Sequence, residues 1–327
     1  MSVRSRHLIA YAASMFSLML LHVLTATDLL ATMSDYGFDV FYTLISQLFC
    51  MGLLPLVVLL LLRKDRSPRE LFIEMRYTRV NWKPVAIASV CLAVLITPFT
   101  MAFNAITNLF FNVIGYKRGA SVGTIYLGVG DLFIQLFLTA LLPAIFEEFT
   151  HRGVLLRGLE DRGSELTAVA WCGVLFGLMH GNPAQMIYAT FGGFLFALVV
   201  IKTGSIVPAM VAHFANNAVS VFLDYSTQRG TTFGKWYDSI MTNTSAFRVL
   251  VTVGIMVAAV YGAILLLQYL ARKNEKPISP RKFLGVVSVD GYKPNGKAML
   301  RDNICLYALV ISESLLLVLF TIWGVLK

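Results

Sequence analysis

Two adjacent acidic residues, Glu147 and Glu148, interrupt a long apolar stretch of the chain. If this stretch is helical, Glu148 and Arg152 share a face at a spacing of four residues and can form an ion pair. Glu147 then points about 100° away from its neighbour. The two carboxylates are therefore expected in different environments, and the one outside the ion pair is suited to general-base chemistry. The alternative is a solvated helix end that carries a surface salt bridge.

Imidazole and amide side chains occur at matching depth on two later apolar stretches. Counted from a turn near Arg162, Glu147 and His180 lie at heights that agree within roughly 5 Å, at about 1.5 Å per residue. On a later stretch, between residues 206 and 223, His213 and Asn217 share a helical face. The pattern favours a constellation over isolated structural residues.

The composition is that of a membrane protein. Of the 327 residues, 57% are apolar and 14% are charged, whereas soluble domains contain roughly 45–50% apolar and about 25% charged residues. The four cysteines are scattered in apolar stretches without a CxxC pair, which excludes a disulfide scaffold. They are Cys50, Cys91, Cys172 and Cys305.

The apolar stretches predict an all-α, polytopic transmembrane bundle of about nine spans. The predicted spans are 8–33, 40–62, 84–114, 125–146, 166–180, 184–201, 206–223, 249–271 and 304–326. Most of the 27 Lys and Arg residues fall in alternate connecting segments, which predicts a multi-pass protein of the cell membrane with a cytoplasmic N-terminus. Basic cytoplasmic segments beside anionic lipid then account for the net charge of +9. We therefore expect no nucleic-acid partner.

The sequence also predicts how neighbouring helices approach each other and how one connecting segment folds. Gly173, Gly177 and Gly181 recur every four residues and should let another helix pack closely. Ser67 followed by Pro68 reads as an N-cap that opens a short interfacial helix on the cytoplasmic side.

Three short patterns, taken in order, resemble the CPBP family of intramembrane proteases, which includes CAAX prenyl endopeptidases and bacteriocin-processing proteins of the Abi type. The patterns are Glu147-Glu148-x-x-x-Arg152, Phe176-x-x-x-His180 and His213-x-x-x-Asn217. The resemblance divides the chain into three N-terminal helices with the interfacial helix (1–124), a catalytic core of four helices (125–223) and two C-terminal helices with a basic cytoplasmic loop (224–327).

The resemblance implies an intramembrane endopeptidase acting on a membrane-associated protein or peptide, with an interior catalytic cavity that opens to the cytoplasmic side. The implied catalytic residues are Glu147, Glu148, Arg152, His180, His213 and Asn217. Glu147 would activate a water molecule that His180 helps to hold. His213 and Asn217 would stabilise the oxyanion, while Glu148 and Arg152 would orient the glutamate and the site.

The family has been described both as metalloproteases and as metal-independent glutamate proteases. A catalytic zinc ion could be held by His180, His213 and Glu147 with a water in the fourth position. Asn217 is a poor zinc ligand and a good oxyanion donor, and the chain has no HExxH pair. We therefore expect no cofactor, with Zn²⁺ as the alternative.

Two other functional classes compete with the protease. One is a catalytically silent immunity or regulatory scaffold of the same fold, and the other is a small-solute transporter. The transporter is disfavoured because no pair of Gly- or Pro-broken half-helices occurs in matching positions.

The remaining polar residues of the spans are expected to be structural or solvated. His22 and Asp28 should pair within the bundle, with a place in a water-accessible cavity as the alternative, and Glu313 should form a hydrogen bond with a neighbouring helix. Asp131 is expected to be solvated near the outer surface.

Overall fold

Helices make up every described secondary-structure element of the chain, as expected for the all-α class. The computed structural model describes residues 2–25, 33–63, 67–78, 126–160, 165–242 and 296–326, with isolated residues between 83 and 115 and between 254 and 272. Asp28, much of the predicted third and eighth spans, and most of the 272–303 loop lie outside the described residues.

The described helices follow the predicted order. They are α1 (Val3–Thr25), α2 (Asp35–Leu44, continued by Ile45–Leu53 and Leu54–Leu61), α3 (Pro68–Glu74), α4 (Val129–Gln135, continued by Leu136–Leu141, Leu142–Glu148, Phe149–Leu155 and Leu156–Leu159), α5 (Glu165–Leu178), α6 (Pro183–Thr203), α7 (Val207–Gln228), α8 (Thr232–Thr242) and α9 (Gly296–Leu326).

Five helical stretches within the described residues are long and apolar enough to cross a membrane. They are Val3–Thr25, Tyr36–Leu61, Val129–Leu159, Gln185–Thr203 and Asn303–Ile322. These stretches coincide with the predicted first, second, fourth, sixth and ninth spans. The predicted fifth span forms the 14-residue helix α5, and the seventh forms the 22-residue helix α7, which carries more polar side chains. The total of nine stays a prediction.

Three segments of α2 and α4 are π-helical, a geometry in which each backbone N–H bonds to the carbonyl five residues earlier. They are Ile45–Leu53, Leu136–Leu141 and Phe149–Leu155. The wider turn leaves carbonyl groups for other partners: Ser14 donates its hydroxyl to the Cys50 carbonyl at 2.6 Å, and Thr150 donates to the Met51 carbonyl. Because π-helical turns are frequent at functional sites, their position on α2 and α4 directs attention to the space between these helices.

Two of the three predicted glycines, Gly173 and Gly177, hold α5 against α6, whereas Gly181 lies beyond the end of α5 with a φ of +60°. A Cβ atom at Gly173 would lie 2.9 Å from the carbonyl oxygen of Thr190, and one at Gly193 would lie 3.0 Å from Cβ of Phe176. At Gly177 a Cβ atom would lie 2.5 Å from the Met186 carbonyl oxygen. The two backbones are therefore in direct contact, and α6 fixes the height of the residues on α5.

Gly177→Ala is expected to destabilise the protein by about 1–3 kcal/mol, because the new methyl group meets backbone atoms of α6 that cannot rotate away. The matched control is Gly130→Ala on α4, where no atom lies within 4 Å of the added Cβ. Thermal unfolding of both variants in detergent measures the difference. Equal melting temperatures would show that α5 and α6 are not in close contact.

Charged residues from several predicted cytoplasmic segments meet at one end of the bundle. Arg6 contacts Glu74 at 2.5 Å, Arg76 pairs with Glu160, and Lys202 lies 3.5 Å from Glu165. Burial would raise the pKa of Glu74, but the Arg6 guanidinium holds that pKa below its usual value.

The short helix α3 begins at this end of the bundle as predicted. The Ser67 hydroxyl accepts the Glu70 backbone N–H, and Pro68 occupies the first turn of the helix. The structure therefore gathers the N-terminus, α3 and the ends of α4, α5 and α6 on one side.

Candidate active site

The two glutamates of α4 lie in the interior of the bundle and face different partners. Arg152 donates to Oε1 of Glu148 at 2.8 Å, and both side chains are fully buried. The guanidinium also donates to the Gly193 carbonyl at 2.9 Å. The ion pair predicted from the four-residue spacing is therefore present, and it is an interior pair rather than a solvated one.

His213 of α7 connects the two glutamates. Its Nδ1 donates to Oε1 of Glu148 at 2.8 Å, since an ionised carboxylate can only accept. Its Nε2 then faces Oε2 of Glu147, at 3.9 Å. Glu148 thus contacts His213, which in turn faces Glu147, and the orienting role expected for Glu148 and Arg152 stays a prediction.

Two phenylalanines hold the imidazole and the guanidinium in place. The ring of Phe196 stacks on His213 with centroids 5.2 Å apart, and Phe176 meets the same imidazole edge-on at 5.8 Å. The guanidinium carbon of Arg152 lies 4.4 Å from the Phe176 centroid and 5.5 Å from that of Phe196. These cation–π contacts add to the ion pair and restrict both polar groups to one orientation.

His180 lies just beyond the end of α5, one turn after Phe176. Its Nδ1 donates to the Phe176 carbonyl at 2.7 Å, and because a carbonyl only accepts, Nδ1 carries the proton. In the neutral ring, Nε2 is therefore a hydrogen-bond acceptor. Such a nitrogen can accept a hydrogen bond from a water molecule.

Asn217 is oriented by backbone that the second π-helical segment exposes. Its Nδ2 donates to the Thr139 carbonyl at 3.2 Å, and its Oδ1 accepts from Asn216 at 3.2 Å. A side-chain amide has two N–H donors, so one hydrogen remains for another acceptor. The amide is held in a fixed direction with a donor to spare.

Four of the six predicted site residues line one cavity of about 230 Å³. They are Glu147, His180, His213 and Asn217, contributed by α4, α5 and α7. Glu148 and Arg152 lie behind this wall. The cavity also has an apolar side that includes Tyr188 and Phe196 of α6. The separate stretches of sequence therefore meet as the helix heights predicted, and the cytoplasmic opening of the cavity stays a prediction.

Gln47 is a contact of this site that the sequence reasoning missed. It lies in the π-helical segment of α2, and its Nε2 donates to Oε1 of Glu147 at 2.9 Å. The two residues are 100 positions apart in the chain. The sequence feature that could have indicated it is a glutamine in a span without charged residues. Such a side chain needs a hydrogen-bond partner within the bundle.

The three residues proposed for a zinc site line the same cavity. Nε2 of His180, Nε2 of His213 and a carboxylate oxygen of Glu147 are chemically suitable donors. Within the part of the chain that the structure describes, however, no group of three His, Cys, Asp or Glu side chains is arranged to hold a metal ion. The choice between a metal-free reaction and a zinc site therefore stays a prediction.

The remaining polar residues of the spans lie in three different environments. His22 bonds through Nε2 to the Tyr42 hydroxyl at 2.6 Å, as expected for a residue paired within the bundle. Asp131 does not simply face solvent, because its carboxylate accepts the Leu127 and Gly128 backbone N–H groups and caps α4. Glu313 is buried, and among the described residues neither carboxyl oxygen has a hydrogen-bond partner. The hydrogen bond expected for Glu313 is therefore not found there.

The family comparison agrees with the geometry over the centre of the chain. Residues 129–219 match the family model of Rce1-like type II CAAX prenyl endopeptidases. This segment is Rce1-like. The match confirms the resemblance drawn from the three patterns, and the segment contains all six predicted site residues. No curated protein and no solved structure was found to match the chain. Together with the apolar helices, the Rce1-like segment supports an integral membrane protein related to intramembrane proteases.

Proposed function

We propose that the protein is an intramembrane endopeptidase that hydrolyses a peptide bond of a membrane-associated protein or peptide, of the CAAX type or a peptide precursor. The observation that carries the proposal is the shared cavity of about 230 Å³ in which Glu147, His180, His213 and Asn217 meet. A carboxylate, two imidazoles and an amide around one cavity supply a base, water-holding groups and oxyanion donors.

The first step is attack by water on the peptide carbonyl. Nε2 of His180 accepts one hydrogen of the water, and Oε2 of Glu147 removes the other proton as the oxygen bonds to the carbonyl carbon. Glu147 then passes this proton to the leaving nitrogen as the C–N bond breaks. The products are a carboxylic acid and an amine, so the enzyme returns to its starting protonation state.

The carbonyl oxygen becomes an oxyanion in this step and needs hydrogen-bond donors. The unused N–H of Asn217 is one donor. His213 is the other when both of its ring nitrogens carry a proton, because Nδ1–H is then donated to Glu148 and Nε2–H is available for the oxyanion. In this scheme Glu148 and Arg152 act on the oxyanion side, through His213, and no step passes through a metal ion.

The test is cleavage of a farnesylated peptide ending in a CAAX sequence by the full-length protein in liposomes, followed by mass spectrometry. Wild type should cleave the peptide, and His213→Ala should lower the rate by roughly 10²- to 10³-fold through loss of an oxyanion donor. The matched control is His22→Ala, which removes a histidine of α1 that bonds to Tyr42. It should retain most of the activity. Equal cleavage by wild type and His213→Ala would contradict the proposal. In cells, a phenotype that survives His213→Ala would favour the catalytically silent scaffold.

A further inference from the structure

Gln47 makes the direct hydrogen bond to the carboxylate of Glu147, from outside the Rce1-like segment. We propose that Gln47 is a positioning residue, which fixes Oε1 of Glu147 and leaves Oε2 as the oxygen that takes the proton from water. This inference rests on the proposed function, because it concerns the same base. It assigns α2 a part in the reaction.

The two oxygens of Glu147 have separate surroundings. Oε1 accepts from Nε2 of Gln47 at 2.9 Å, whereas Oε2 lies 3.9 Å from Nε2 of His213. Glu147 lines the cavity and Gln47 does not, so the amide holds the carboxylate from behind. One oxygen is anchored and the other faces the reacting groups.

The chemistry of an amide suits this task. An amide N–H donates a hydrogen bond but does not titrate, so it supports the ionised carboxylate without competing for the proton. A proton added at Oε1 would point at the N–H of Gln47, which is unfavourable. The proton taken from water therefore resides on Oε2, from which it can reach the leaving nitrogen.

The surrounding structure holds Gln47 in reach of its partner. Gly52, one π-helical turn further along α2, lets this helix approach α4 so closely that an added Cβ atom would lie 2.7 Å from the Phe146 ring. Ser14 of α1 and Thr150 of α4 donate to the carbonyls of the same π-helical segment. Contacts from two helices thus fix the backbone that carries Gln47, and a fixed backbone is what accurate positioning requires.

Gln47→Leu tests the proposal because leucine fills similar space and lacks the amide that donates to Glu147. The kcat for the farnesylated peptide should fall roughly 10- to 100-fold, as for loss of a hydrogen bond to a charged group, while KM stays unchanged. The matched control is Gln135→Leu on α4, since Gln135 is equally buried but bonds to Thr139. It should retain kcat. Equal kcat values for wild type and Gln47→Leu would overturn the positioning role.

Infrared spectroscopy supplies a readout that needs no substrate. The difference spectrum between wild type and Glu147→Gln isolates the carboxylate stretching bands of Glu147. Gln47→Leu should shift these bands, because one oxygen loses its donor, and Gln135→Leu should not. Unshifted bands in Gln47→Leu would overturn the proposal even if the peptide is cleaved. If Glu147→Gln cleaves as fast as wild type, the proposed function fails, and shifted bands would still show that Gln47 holds Glu147.

Discussion

Replacing Glu147 by glutamine is expected to lower the rate of peptide cleavage by roughly 10²- to 10⁴-fold, the contribution of a positioned general base. The amide has nearly the shape of the carboxylate, so helix packing is preserved. Steady-state kinetics with the farnesylated peptide measure the loss, and thermal unfolding checks that the variant is folded.

The matched control for this change is Glu165→Gln. Glu165 begins α5 and lies 3.5 Å from Lys202 at the charged end of the bundle, away from the cavity. This variant should retain activity within about twofold, since a partly exposed ion pair contributes roughly 0–1 kcal/mol. If both glutamine variants lose activity to the same extent, the effect of Glu147→Gln is not catalytic.

Arg152→Met is expected to destabilise the protein by about 3–5 kcal/mol and to abolish cleavage. Removing the cation leaves Glu148 as a buried carboxylate whose remaining hydrogen-bond partner is His213, and an uncompensated interior charge is strongly unfavourable. Unfolding in detergent by heat or denaturant measures the change. Arg157→Met on the same helix is the control, because its pair with Glu160 is 3.6 Å long and the arginine is partly exposed. That variant should lose about 1 kcal/mol or less.

A second variant separates charge compensation from packing. In the double variant Glu148→Leu with Arg152→Met, both charges are gone, so part of the lost stability should return. Cleavage should stay absent, because His213 has lost the carboxylate that orients its ring. A double variant that is less stable than Arg152→Met alone would show that the ion pair is not what the single change disrupts.

The site residues on α4, α5 and α7 could be predicted because local rules apply to them. A spacing of four residues places Glu148 beside Arg152, and counting residues from a turn places Glu147 and His180 at one height. Gly177 follows a known spacing for close helix contact. Each of these inferences needs only the geometry of a helix or of two helices joined by a short turn.

The contacts between distant helices could not be predicted in the same way. Gln47 reaches Glu147 across 100 residues, through a π-helical turn that changes which residues of α2 face α4. Nothing in the amino-acid pattern marks where α-helical turns become π-helical. The partner of Glu148 illustrates the same point, because choosing His213 over Glu147 depends on how α7 is rotated against α4.

Polar residues in membrane spans are usually solvated or hydrogen-bonded to a neighbouring helix. Asp131 and Glu313 differ from this expectation, each for a physical reason. Asp131 lies three residues after the N-cap position of α4, where a carboxylate can accept free backbone N–H groups. Glu313 packs beside a small cavity bordered by His22 and Gly181, where apolar side chains surround its carboxyl group. Composition alone does not distinguish these environments.

Cleavage in water enriched in ¹⁸O tests the central claim most directly. Wild type in liposomes, given the farnesylated peptide, should yield an N-terminal product that carries one ¹⁸O atom in its new carboxyl group, because the attacking oxygen comes from water. Glu147→Gln should yield almost none of this product in the same time. Labelled product formed at equal rates by both proteins would contradict activation of the water by Glu147.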